Sequence, residues 1–131
     1  MKRSRLGKVG KQPISKIQKL IWQELRRVAG IIYKKDCYTC PAKNLQGANC
    51  QLGHCPYPKS TLGAFLKYDL RLVRWQCYSC NINKGGMGAE AYKRMLREEG
   101  KAYMDLLEKD RQKSVKAYDF YLDLLKYYQG I

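Results

Sequence analysis

Acidic side chains are scarce in this chain. Only 11 aspartates and glutamates stand against 26 lysines and arginines, giving its 131 residues a formal charge of +15. That is far more than solubility requires. Long apolar runs are missing too: no stretch approaches the roughly 18 residues of a membrane span, so no membrane partner is expected. The basic start, Met1 to Gln12, has no apolar stretch behind it, which argues against a secretory signal and makes an intracellular location the expectation. Histidine is limited to one residue, His54.

What charge there is lies unevenly. Residues 1–35 hold 11 basic side chains and one acid, Glu24, whereas residues 89–131 are nearly balanced, with nine against eight. A polyanion would feel the first third most, and nucleic acid is the expected partner. The candidate phosphate contacts are Lys2, Arg3, Arg5, Lys8 and Lys11 on a basic arm spanning 1–13, and Lys16, Lys19, Arg26 and Arg27 on the helix that follows.

That helix is expected over 14–30, because Ile14, Ile17, Ile21, Leu25 and Val28 step by three and four. Ser15 suits its N-cap and Gly30 its end. Residues 31–100 read as a loop-rich core. Within it Gln51 to Cys55 and, more weakly, Leu70 to Trp75 suggest two short strands forming a hairpin. Helical spacing returns at Met87, Ala91 and Met95, ending at Gly100, and twice more over 102–113 and 115–128. The expectation is a single α+β domain over 14–131, its hairpin-plus-helix core flanked by N- and C-terminal helices.

Six cysteines remain, four of them in two pairs, Cys37-x-x-Cys40 and Cys77-x-x-Cys80. An even count would also suit three disulfides, but two C-x-x-C turns in a reducing compartment favour metal. Each turn supplies two thiolates, and four complete the tetrahedron of structural Zn²⁺. The 36-residue insert between the pairs exceeds that of an ordinary zinc ribbon, so the loop holds something more. An alternative joins Cys37 and Cys40 to Cys50 and either His54 or Cys55, leaving the second pair for another ion; otherwise Cys50 and Cys55 are small buried residues or free thiols. A redox role lacks its βαβ context.

Inside the closed loop stands Gly53-His54-Cys55-Pro56. Imidazole suits general-base work near neutral pH, although a lone histidine is commonly structural. Asn81 follows the last cysteine directly; its hard amide oxygen suits Mg²⁺, or it caps the next helix. Lys84 and Gly85-Gly86 would let a phosphate approach closely, or form an ordinary turn. A zinc deaminase would need His-x-Glu, which is not present.

Together these residues resemble a known family. Cys37-x-x-Cys40, Gly53-His54, Leu66-Lys67-Tyr68-Asp69-x-Arg71, Gln76-Cys77-x-x-Cys80-Asn81-x-x-Lys84-x-Gly86, and Tyr92, Leu96 and Gly100 are similar to the NinG (Rap) recombination nucleases of lambdoid phages. More distantly, the Cys-x-x-Cys-Asn ending is similar to HNH enzymes and phage recombination endonuclease VII. The resemblance implies a small ββα-metal (HNH-like) fold and Mg²⁺- or Mn²⁺-dependent cleavage of branched DNA, with a homodimer where both strands of a junction are cut. By the same carry-over His54 is the general base, Asn81 a ligand of the catalytic ion and Asp69 the residue orienting the hairpin. Lys84 is a further catalytic candidate, and Lys67 and Arg71 are further candidate contacts to nucleic acid. Many HNH enzymes place a metal-binding aspartate before the histidine. Gly53 stands there instead, as in the NinG-like sequences, and leaves the second protein ligand open.

Overall fold

The structure is a computed structural model and describes residues 12–131. The five arm residues expected at phosphates, Lys2, Arg3, Arg5, Lys8 and Lys11, lie outside that range.

The first helix, α1, runs Ile14–Ile32. Pro13 precedes it with φ −59°, already suited to a helical entry, and its carbonyl accepts from the N–H groups of Lys16 and Ile17. Ser15 therefore sits inside the first turn and is not the N-cap. Gly30 does not end the helix either; α1 continues for two residues, and Tyr33 turns extended as its N–H bonds the Ala29 carbonyl. One interior glycine costs only about 1 kcal/mol, which the buried stripe readily outweighs. Ile17, Ile21, Leu25 and Val28 are almost wholly buried, each contributing roughly 1.5–3 kcal/mol, while Ile14 is 40% exposed at the open end.

Two four-residue strands follow, β1 (Gln51–His54) and β2 (Val73–Gln76), antiparallel, with Gln51 opposite Gln76 and His54 opposite Val73. The second strand begins later than expected because Leu70–Leu72 form a single 3₁₀ turn, capped by the Asp69 carboxylate. Side chains alternate across a strand, so the ribbon has two distinct faces. Leu52, Val73 and Trp75 pack in the main core with α1 and α4 (Ala117–Gln129), where the indole Nε1 of Trp75 donates to the Ala29 carbonyl. Gln51, Gly53, Arg74 and Gln76 belong to the other face.

After β2 the chain makes a wide π-type turn, Ser79–Asn83, then enters α2 (Gly88–Glu99) and α3 (Lys101–Asp110). Met95 of α2 and Met104 and Leu107 of α3 close a second cluster over Leu62, Leu66 and Leu72. In α4 the buried stripe is Tyr121, Leu125 and Tyr128, with Tyr118 and Leu122 only partly buried beside it. Val115 precedes the helix and is exposed. The fold is thus α+β, a two-stranded sheet among helices. Among the described residues no helix is long and apolar enough to cross a membrane.

Candidate functional site

The four paired cysteines meet. The sulfurs of Cys37, Cys40, Cys77 and Cys80 all lie within 4.8 Å of one another, the separation expected of ligands around one tetrahedral ion. The 37–40 loop reaches the end of β2 through the Tyr38 N–H, which donates to the Trp75 carbonyl at 3.0 Å. The Cys80 N–H points at Cys77 Sγ, 3.5 Å away. The thiols hold their protons unequally. Burial pushes Cys37 up, but hydrogen bonds from the backbone of Cys77 and Thr39 outweigh it and bring the thiol down to about 6. Cys80 is pushed by burial up to about 12, and Cys40 is also raised above the ordinary thiol value. These are donors suited to a structural metal such as zinc. Cys50 and Cys55 are not in the cluster. Cys55 is fully buried, and burial lifts its thiol to about 12, so it behaves as a small apolar side chain.

His54 closes β1, and its ring faces α1. Nε2 lies 2.7 Å from the Lys67 carbonyl. A carbonyl can only accept, so Nε2 carries the proton and Nδ1 keeps its lone pair. The indole of Trp22 stacks on the imidazole, with centroids 5.3 Å apart and planes 12° from parallel. Burial lowers the imidazole pKa; the Lys67 carbonyl opposes this, and the charges of Lys59 and Lys67 add to it. The ring opens into a groove of about 500 Å³ lined also by Ser15, Gln18, Lys19, Lys59 and Tyr68. A neutral imidazole in a basic groove is chemically able to accept a proton beside an anion.

Asn81 approaches the same strand from its other face. Its Nδ2 donates to Gln51 Oε1 at 2.8 Å, and its Oδ1 is directed at Gly53. Lys84, exposed, ends the π-type turn, its backbone N–H donating to the Ser79 carbonyl. Gly86, at φ +94°, adopts a conformation that disfavours a side chain and lies against the His54 carbonyl. Gly53, His54, Asn81 and Gly86 are therefore neighbours, but His54 and Asn81 flank the ribbon on opposite faces and do not share the groove.

Asp69 does not touch His54 in any described contact. Its Oδ1 accepts from the Arg71 N–H and Nε, and its Oδ2 pairs with Arg71 Nη2 at 2.8 Å. Through this cap it shapes the loop whose Lys67 carbonyl holds the imidazole. Arg71, expected to face phosphate, is committed to Asp69 and to Asp110 at 3.2 Å. Arg27 pairs with Glu24 and donates to the Tyr128 carbonyl, and Arg26 lies 5.2 Å over the Trp75 ring. Lys16 and Lys19 remain exposed on α1.

Sequence reasoning did not single out Trp22, Lys59 or the amide of Gln76. Trp22 sits one place off the isoleucine stripe, which is the signal its position offers. The others become legible only once the loop is folded. In comparisons with protein-family models, curated proteins and solved structures, none matches the chain.

Proposed function

We propose that the protein is a metal-dependent DNA endonuclease of the HNH-like ββα-metal kind, acting on branched recombination intermediates such as Holliday junctions or D-loops. The observation that carries this reading is the state of His54: its proton is fixed on Nε2, which leaves Nδ1 unprotonated, and the residue lines a basic groove, one residue from the strand position that the Asn81 oxygen faces. The resemblance to the NinG (Rap) nucleases supports it.

In this reading Nδ1 takes the proton of a water as the water oxygen bonds to phosphorus, and the bond from phosphorus to the departing 3′-oxygen breaks. Asn81 would hold the divalent ion, Mg²⁺ or Mn²⁺, whose charge would neutralise the phosphate and the leaving oxygen. Lys19 and Lys59 bind flanking phosphates, and Lys84 approaches from the turn. Asp69 positions the loop that holds the imidazole. The phosphodiester must lie over the end of β1, where only one strand's thickness separates the faces. Symmetric junction cutting requires two such sites, hence a homodimer.

The test is cleavage of branched and duplex DNA with Mg²⁺ or Mn²⁺. Wild type should nick, and His54→Ala should be slower by roughly 10²–10⁴-fold; equal rates would remove the mechanism. One observation favours a second reading, a non-catalytic, zinc-stapled DNA-binding accessory protein. The imidazole is stacked and hydrogen-bonded as a structural histidine would be, on the face opposite Asn81. Salt-sensitive binding without cleavage under any divalent ion would decide for it.

A further inference from the structure

Gln76 is fully buried, yet its side-chain oxygen has no hydrogen-bond partner among the described residues. Its orientation is fixed. Nε2 donates to the Gly86 carbonyl at 2.7 Å and to Thr39 Oγ1 at 3.0 Å; the carbonyl cannot donate, so the amide cannot be turned round. Asn81 is fixed by the same logic. Gln51 Nε2 donates to the Ala48 carbonyl, Gln51 Oε1 therefore accepts from Asn81 Nδ2, and Asn81 Oδ1 is left directed at the strand.

Both oxygens arrive at one spot. A Cβ built on Gly53 would collide with Gln76 Oε1 and lie 2.5 Å from Asn81 Oδ1. Two acceptors thus crowd the space of the missing side chain, and no donor among the described residues satisfies that of Gln76. Burying an amide oxygen without a partner is costly, because it gives up its hydration for nothing. An arrangement that holds this buried oxygen beside that of the half-buried Asn81 is satisfied by a cation, and hard amide oxygens suit Mg²⁺, Mn²⁺ or Ca²⁺.

We infer that Gln76 Oε1 is the second protein ligand of the divalent ion, and that Gly53 is a glycine because the Gln76 and Asn81 oxygens occupy its side-chain space. This rests on the proposed role of Asn81 in holding that ion. The carboxylate that many HNH enzymes place before their histidine is replaced here by a neutral amide reaching over from β2. With two uncharged ligands the affinity is weak without DNA, about millimolar, and water supplies the remaining coordination.

The experiment is a Mg²⁺ titration of the zinc-loaded, ¹⁵N-labelled full chain, followed at the side-chain amide signals of Gln76 and Asn81. The expected result is that both move and saturate with one Kd. In Gln76→Met, where a thioether replaces the amide, the Asn81 response should need at least about tenfold more Mg²⁺. Gly53→Ala, whose methyl displaces the oxygens, should act likewise. His54→Ala should titrate as wild type does. Movement of Asn81 alone, or unchanged affinity in both variants, would overturn the role of Gln76 and leave that of Asn81 standing. No response from either amide up to tens of millimolar would sink both. Zinc content and circular dichroism identify a misfolded variant, in which case the wild-type titration decides.

Discussion

Chelating the metal of the four-cysteine cluster should separate a zinc staple from a chance gathering of thiols. Two thiols of the cluster, Cys40 and Cys80, keep their protons at neutral pH because their values are raised, Cys80 to about 12. Zinc binds thiolates, so both protons must leave on binding. At least two protons are released, so the apparent affinity should rise by roughly 100-fold or more for each pH unit. Cys37, already down to about 6, adds little to this slope above pH 7. Competition with a chromophoric chelator at pH 7.0 and 8.0 measures it directly, and an affinity that does not change with pH would refute the reasoning. Stability follows by mass action. Free zinc at 1,000 times its Kd stabilises by about 4 kcal/mol, or about 10–20 °C in Tm for a domain of this size. Cys80→Ser should lose that increment together with stoichiometric zinc. Cys50→Ser should keep one zinc per chain, because Cys50 lies outside the cluster; loss of zinc there would show that the ligand set is wrong.

The sole histidine gives one clean proton NMR signal to titrate. Its folded pKa is lowered, so the unfolded state binds the proton more readily, and this contribution to stability is complete above about pH 6.5 and lost as pH falls toward the folded value. Cleavage should show its acidic limb at that same lowered value, and Trp22→Leu, which lets water reach the ring, should move both upward; a wild-type value at or above 6.5 would contradict the burial. Arg71→Ala removes the partner of Asp69 and one of the two partners of the nearly buried Asp110, which keeps Lys113, and should destabilise by about 1–3 kcal/mol in urea unfolding, with loss of DNA affinity only through the fold. Lys59→Ala and Lys19→Ala should each reduce the slope of log affinity against log salt by about 1, and unchanged slopes would place the DNA elsewhere.

The parts of this fold that were legible beforehand are those governed by local spacing. The Ile17, Ile21, Leu25 and Val28 stripe and the two C-x-x-C pairs carry their geometry in their intervals, and both stand in the structure as read. What local spacing could not carry was competition between neighbours. Gly30 stays helical because buried Val28 and Ala29 hold the last turns in place. Leu70 and Leu72 look like strand residues, but the Asp69 carboxylate and the Arg71 N–H make a capped turn of them first. At the site, His54 and Asn81 could be named as chemistry but not placed. Which face each occupies depends on strand register, and register is set by contacts such as that of Trp75 with Ala29, 46 positions apart. Gln76 could be quoted within a motif, yet its free oxygen exists only because Gly86 and Thr39 take its nitrogen.

Tyr128 gives the molecule a long reach. Its hydroxyl donates to the Tyr68 carbonyl at 2.6 Å and accepts from the Leu70 N–H at 3.1 Å, while its own carbonyl accepts from Arg27. The segment clamped at 68–70 begins one residue after the carbonyl that grips the imidazole. Excising residues 37–100 as a minimal cassette would therefore keep all four clustered cysteines and still discard the brace behind His54. Anyone grafting this ribbon onto another scaffold would have to supply a substitute for a phenol that lies 28 residues beyond the cassette's end.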